Sequence, residues 1–399
     1  MFDMIYIDDL QALAKVILKI NEEKIFAFDL EFIPENTFVP HLCLIQLLVD
    51  NNIYIIDPLK VQDLSTFWHV FCDNEIVKIV HSGKNDLEII FGITNQKPEN
   101  VFDIQVAACF CGYGFQLGLA KLLKDLLAVY ISKSQTRSNW ASRPLTQEQI
   151  IYAVNDVKYL FKLYEILLVK VKELQRLDWV LQESVKYDFY QSKKIPQVRN
   201  ANGLELAKQY LLEQLALIRF DYARTFNLPV KTVATDDALI ELVSNKIDKL
   251  NDLKKIQGLS PDFIIESGKP ILEIVNNSNI DLNMWKNNVK YFNKEKHLFL
   301  NELIYFMAKS TALKVNLPVE FLASRSDIEK LVFNFLQEDY NYSDNIIIKN
   351  WRKEILGDNI IKVLQGQTVK ICLGEAGLNL DLKLFKNDVF ISRITCYTH

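Results

Sequence analysis

The stretch KIFAFDLEFI, Lys24 to Ile33, has the makeup of a buried β-strand yet carries two acids, Asp29 and Glu31, within its apolar run. Side chains alternate across a strand, so residues two apart project from one face about 7 Å from each other. Two like charges on a half-buried face lose hydration and repel, which is costly unless something cationic compensates. A fold that buries this strand must end it at a wet edge or place a metal ion between the carboxylates.

Two other stretches set acids against apolar backgrounds. In KIVHSGKNDLEII a strand pattern ends at His81, turns through Ser82-Gly83 and enters a helix with Asp86 in its first turn. In QIIYAVNDVKYL, Tyr152 and Asp156 lie four apart and share a helix face. Taken singly, Asp86 reads as a dipole-favoured helix-start residue and the Tyr/Asp pair as a common helical spacing. His81 reads as a strand-end cap rather than a ligand. Taken together, Asp29, Glu31, Asp86 and Asp156 offer four hard oxygen ligands, which suit Mg²⁺ or Mn²⁺ rather than zinc. Two such ions about 3.5–4 Å apart can activate a water and stabilise the leaving oxygen of an attack on a phosphodiester. A tyrosine hydroxyl ionises only near pH ~10, so Tyr152 is expected to orient that water rather than deprotonate it.

A chain of 399 residues suggests two or three domains. The periodicity predicts strands over 4–7, 25–33, 42–49, 53–57 and 76–81, and helices over 9–20, 64–72 and 85–91. From Val101 onward it reads mostly helical, with Thr146-x-x-Gln149 as a capping box at one helix start. The second half is helical and contains a repeat. Asn227-Leu228-Pro229-Val230 recurs as Asn316-Leu317-Pro318-Val319, 89 residues later, each followed by a small polar cap, an acid and a Leu-Val pair. The tail after Gln367 belongs to neither copy.

Net charge is −4, with 21 Lys+Arg against 25 Asp+Glu in residues 1–200 and 25 against 25 in residues 201–399. Any nucleic-acid partner would have to be held by local patches rather than by a global field. One such patch is SKSQTRSNWASRP, where Lys133, Arg137 and Arg143 flank Trp140. That mixture suits stacking on bases and gripping a backbone; the alternative is a solvated loop with one Trp packed beneath it. The six cysteines lack the spacing of a zinc site or a disulfide framework and read as plain buried thiols. The acidic N-terminus is unlike a signal peptide, and no apolar run reaches bilayer length, so a cytoplasmic protein without a membrane partner is expected.

The pattern Asp29-x-Glu31, Asp86, Tyr152-x-x-x-Asp156 resembles the tyrosine branch of the DEDD exonuclease superfamily. FDIQVAACFCGYGFQLGLAKLL, KSQTRSNWASRPLTQEQIIYAVNDVKYL and the duplicated helical modules further resemble the ribonuclease D family, tightly over residues 4–190 and loosely over 205–365. The resemblance implies an α/β, ribonuclease H-like exonuclease domain, a mixed central sheet flanked by helices, over 1–198. Two all-α HRDC-like bundles would follow over 203–285 and 290–368, leaving 369–399 unassigned. It puts metal ligands at Asp29, Glu31, Asp86 and Asp156 and a water-positioning tyrosine at Tyr152. It implies a 3′→5′ exoribonuclease using two divalent cations, Mg²⁺ or Mn²⁺, on RNA with a free single-stranded 3′ end. Transfer RNA precursors are the expected substrate, nucleoside 5′-monophosphates the product, and no obligate protein partner is expected. The rivals are a DNA exonuclease with the same metals and a catalytically silent RNA-binding scaffold.

Overall fold

A computed structural model describes residues 3–34, 37–61, 63–131, 138–185, 198–199, 204–276, 294–336, 345–366, 372–374 and 377–379. Six strands, β1 (Asp3–Ile7), β2 (Ile25–Ile33), β3 (His41–Val49), β4 (Asn52–Ile56), β5 (Val77–Val80) and β6 (Val101–Asp103), form one sheet in the order β1-β4-β3-β2-β5-β6. β3 runs antiparallel to β2 and β4, and the remaining pairs are parallel. Eight helices accompany the sheet among the described residues. They are α1 (Leu10–Glu23), α2 (Ser65–Cys72), α3 (Lys84–Thr94), α4 (Ile104–Phe110), α5 (Leu119–Leu127), α6 (Gln147–Lys158), α7 (Leu160–Glu173) and α8 (Leu177–Ser184).

Strand alternation decides which residues meet which layer. Phe26, Phe28 and Leu30 of β2 and Ile45, Leu47 and Val49 of β3 share the face that packs on Leu13, Val16 and Ile20 of α1, Phe67 and Phe71 of α2, and Leu87 and Ile90 of α3. Phe71 meets Phe26 and Phe28 edge-on, with ring centroids 5.2 and 4.9 Å apart, the geometry aromatic quadrupoles favour. The opposite face of β2, β3 and β4 is left to α6, which packs against all three strands. Asp29 and Glu31 fall on that second face by the same alternation.

The sequence reads as helical from Val101, but Val101–Asp103 pairs with β5 as an edge strand. Three residues are too few to display a period. Cys43 and Cys109 are buried and Cys72 and Cys111 partly buried, all as free thiols. Cys396 and the side chain of Cys372 lie outside the described residues. No helix among the described residues is long and apolar enough to cross a membrane.

The chain divides into two compact units, 1–282 and 283–399. The first also contains a helical module of α9 (Leu206–Thr225), α10 (Val230–Val233), α11 (Asp236–Ser244), α12 (Leu250–Leu253) and α13 (Pro261–Val275) around Leu215, Leu239, Leu242, Leu253 and Phe263. This module seats on the sheet domain through Asn227, whose Oδ1 accepts the backbone N–H groups of Phe38 and Val39 at 3.1 and 2.9 Å. Phe220 meets Phe38 edge-on.

The second unit repeats the turn of the first. After α14 (Lys294–Val315), Asn316 takes φ 52°, as Asn227 takes φ 51° after α9. Asn tolerates this left-handed region better than most residues. In both copies the next Leu N–H returns to a helix carbonyl, Leu228 to Ala223 at 2.8 Å and Leu317 to Ala312 at 2.9 Å. A one-turn helix follows, α10 in one copy and α15 (Val319–Leu322) in the other. Then Thr235 caps α11, and Ser324 bonds the Asp327 N–H of α16 (Arg325–Leu336). In the tail, Cys372–Gly374 and Gly377–Asn379 pair antiparallel as β7 and β8, a feature the sequence pattern does not announce.

Candidate active site

β5 pairs with β2 only as far as Ala27. Beyond it, the chain leaves β5 through His81-Ser82-Gly83 and enters α3, and the Asp86 carboxylate takes the place of the missing ladder partner. Its Oδ1 accepts the Leu30 backbone N–H at 3.1 Å, between Asp29 and Glu31. The turn is held from below by Asp103 at the end of β6, whose carboxylate accepts the N–H groups of Ser82 and Gly83 at 3.0 and 2.9 Å while capping α4 through Gln105. Gly83 is required here, because a Cβ would lie 2.5 Å from Val80 Cγ1. His81 Nε2 bonds the Leu117 carbonyl, at 2.9 Å.

α6 brings the remaining groups from above. Thr146 and Gln149 form the expected reciprocal capping box. Further along, Tyr152 hydrogen-bonds to Asp156 one turn later. Oxygens of Asp29, Glu31 and Asp156 lie within 4.8 Å of one another, and Asp86 adds its charge to the group. Burial, followed by repulsion from Asp156, Asp86 and Glu31, raises the Asp29 carboxyl well above its ordinary value. Burial, followed by Asp156 and Asp86, pushes Glu31 up to about 9. Asp86 and Asp156 are each pushed up to about 7, chiefly by burial. Four acids gathered this closely, each with its carboxyl pushed up chiefly by burial, suit a multivalent cation bound by hard oxygens.

The basic loop differs from the nucleic-acid contact its composition suggests. Lys133 and Arg137 lie outside the described residues. Trp140 is 2% exposed and packs on the Tyr152 ring, centroids 5.9 Å apart, so it is not open for stacking on a base. Arg143 uses all five of its N–H groups within the protein. It donates two to Asp57, at 2.7 and 2.8 Å, and the others to the carbonyls of Trp140, Ser142 and Cys43. The Cys43 carbonyl lies where the β2–β3 register shifts, Glu31 pairing with Leu44 and Phe32 with Leu42. Assigning Trp140 and Arg143 to substrate is therefore corrected: they fasten the loop that leads into α6. The packed-Trp alternative holds for Trp140.

Two acids that support the site, Asp57 and Asp103, escape sequence reasoning. Each ends an apolar strand run, NIYIID and VFD, which is the same anomaly that marks Asp29 and Glu31. Both are buried, at 0% and 2% exposure.

A sequence profile for 3′–5′ exonucleases matches residues 4–172, and one for the HRDC domain matches residues 208–275. Ribonuclease D of Shewanella sp. (strain ANA-3) is 29% identical over 374 residues, 90% of this chain and 93% of that protein. Ribonuclease D of Jannaschia sp. (strain CCS1) is 29% identical over 363 residues, 87% and 92% of the two chains. Among solved structures, Escherichia coli RNase D, an exoribonuclease involved in structured RNA processing, matches with a TM-score of 0.78 at 26% identity, covering 91% of this chain and 99% of that one.

Proposed function

Since this chain belongs to the ribonuclease D family and is a 3′–5′ exoribonuclease, we propose that it trims the single-stranded 3′ ends of transfer RNA precursors, with Asp29, Glu31, Asp86 and Asp156 as metal ligands. Nucleoside 5′-monophosphates are the product, and the metal is a pair of Mg²⁺ or Mn²⁺ ions. The observation that carries this reading is the convergence on one site of four acids from β2, α3 and α6, Asp86 buried and Asp29, Glu31 and Asp156 half-buried. The exonuclease fold implies dependence on a divalent metal, and an all-carboxylate donor set favours a hard one. Bound cations of this kind lower the pKa of an attacking water and stabilise the leaving oxygen of the phosphodiester.

The chain's own groups do the rest. Asp86 is aimed by the Leu30 N–H and by the turn that Asp103 fastens. Asp156 and Tyr152 are placed by α6, which the Arg143–Asp57 pair anchors to the sheet. The Tyr152 hydroxyl, one turn from Asp156, orients the attacking water and leaves proton abstraction to a more acidic group. RNA from a structured precursor is the favoured substrate class because the E. coli relative of known structure processes structured RNA. The repeated Asn-Leu-Pro-Val turn supports reading the second helical unit as another HRDC-like bundle, with domains over 1–198, 203–285 and 290–368 and a separate tail over 369–399.

The test is a 5′-labelled single-stranded RNA with a free 3′ end, incubated with the protein in Mn²⁺, in chelator, and with Asp29→Ala. The reading predicts stepwise shortening from the 3′ end that chelator and Asp29→Ala both abolish. RNA shortened equally by the variant would remove the ligand assignment. Equal rates on a 3′-extended transfer RNA precursor and an unrelated single strand would remove only the substrate assignment.

A further inference from the structure

The pairing of β2 with β3 sets Asp29 directly opposite Gln46, Glu31 opposite Leu44 and Ala27 opposite Leu48. Opposed residues of an antiparallel pair project from the same face with Cβ atoms about 4.5–5.5 Å apart. On the other side, Gln46 opposes Ile55 of β4. Gln46 therefore stands on the face covered by α6, in one row with Ile55 and Asp29. Its neighbours on that face, Leu44, Leu48, Ile53 and Ile55, are buried hydrocarbons. Gln46 is itself 0% exposed, and neither its Nε2 nor its Oε1 has a hydrogen-bond partner among the described residues. A buried amide left unpaired destabilises a fold, whereas a Leu or Met of similar size in its place would not.

The acids of the site show what the amide is for. Asp86 accepts the Leu30 N–H and Asp156 accepts the Tyr152 hydroxyl. Asp29 and Glu31 have no hydrogen-bond donor to their side chains among the described residues. Metal-ligating carboxylates are themselves hydrogen-bonded by neighbours that fix their orientation, and an ionised carboxylate can only accept. We propose that Gln46 is a positioning residue whose Nε2–H donates to the Asp29 carboxylate when that carboxylate binds metal, a role that rests on the metal-ligand reading of the site. Leu44, opposite Glu31, offers no such donor, so the support is specific to Asp29.

The probe is Mn²⁺ alone, titrated into metal-stripped full-length protein and followed calorimetrically or by the loss of free-Mn²⁺ electron paramagnetic resonance. Unfolding in urea with chelator present is measured alongside. Gln46→Met is expected to weaken Mn²⁺ binding about 10–100-fold while leaving the metal-free unfolding midpoint unchanged or higher. Gln46→Leu, which likewise has no donor, is expected to weaken binding to a similar extent. Unchanged Mn²⁺ affinity in Gln46→Met overturns the proposal, as does a lower metal-free midpoint or failure to fold, which would give the amide a structural task. Binding in Gln46→Leu as tight as in the parent protein overturns it too. If the parent protein itself binds no Mn²⁺, the metal reading falls and the proposal with it.

Discussion

Replacing Arg143 by Met removes five hydrogen bonds and leaves the Asp57 carboxylate, whose side chain is 0% exposed, without its cation. Removing one partner of a buried ion pair costs about 3–5 kcal/mol. The Arg143 side chain keeps 20% of its surface exposed, which argues for the lower end, about 3 kcal/mol. With a urea dependence of about 2 kcal/mol per molar, the unfolding midpoint should fall by about 1.5 M at pH 7.5. The deficit should depend on pH. Burial pushes the Asp57 carboxyl up, but hydrogen bonds from Arg143 and Tyr6 outweigh it and hold the group below its ordinary value. A depressed carboxyl contributes stability above its unfolded pKa and loses it as pH falls through the folded one. Without Arg143 burial dominates, the carboxyl takes a proton more readily, and the penalty of the variant shrinks as the solution is acidified. Urea titrations at pH 7.5 and pH 5 in chelator, followed by circular dichroism, measure both effects. RNA KM is measured at a temperature where both proteins are folded, and should not move. A midpoint change below about 0.3 M, or a raised KM with an unchanged midpoint, would refute the reasoning and return the guanidinium to the substrate.

Other substitutions probe separate parts of the account. Tyr152→Phe removes the hydroxyl that orients the attacking water and should lower kcat about 100-fold with little change in KM, the size of effect a misplaced reactant produces, in a single-turnover RNA assay. Gly83→Ala sets a Cβ 2.5 Å from Val80 Cγ1, so thermal melts should report a loss of about 1–3 kcal/mol from overpacking and kcat should fall as Asp86 is displaced. Asn227→Ala should cost roughly 1–2 kcal/mol through its left-handed backbone, plus the two bonds to Phe38 and Val39. Asn227→Gly relieves the first cost and not the second, so melts of the two variants separate the contributions.

The parts of the site that were legible in the sequence depend on short-range periodicity. Asp29 and Glu31 stand out because alternation alone puts both on one face. Tyr152 and Asp156 are one helical turn apart, and Thr146 and Gln149 close the capping box at the spacing the sequence displays. What was not legible depends on pairing. Asp57 and Arg143 are 86 residues apart, and no local pattern links them. A loop of basic and aromatic residues reads the same whether its donors face a phosphate or five acceptors within the protein, which is why Arg143 and Trp140 resemble substrate contacts. The Gln46 amide looks like one polar interruption of an apolar strand until the register places it opposite Asp29.

The most direct test of the central claim is a crystal soaked in Mn²⁺ and measured for anomalous scattering. Two peaks about 3.5–4 Å apart are expected among Asp29, Glu31, Asp86 and Asp156, both lost in Asp29→Ala crystals soaked in the same way. An anomalous map with no peak between these four carboxylates, in a crystal whose protein degrades RNA in Mn²⁺, would contradict it.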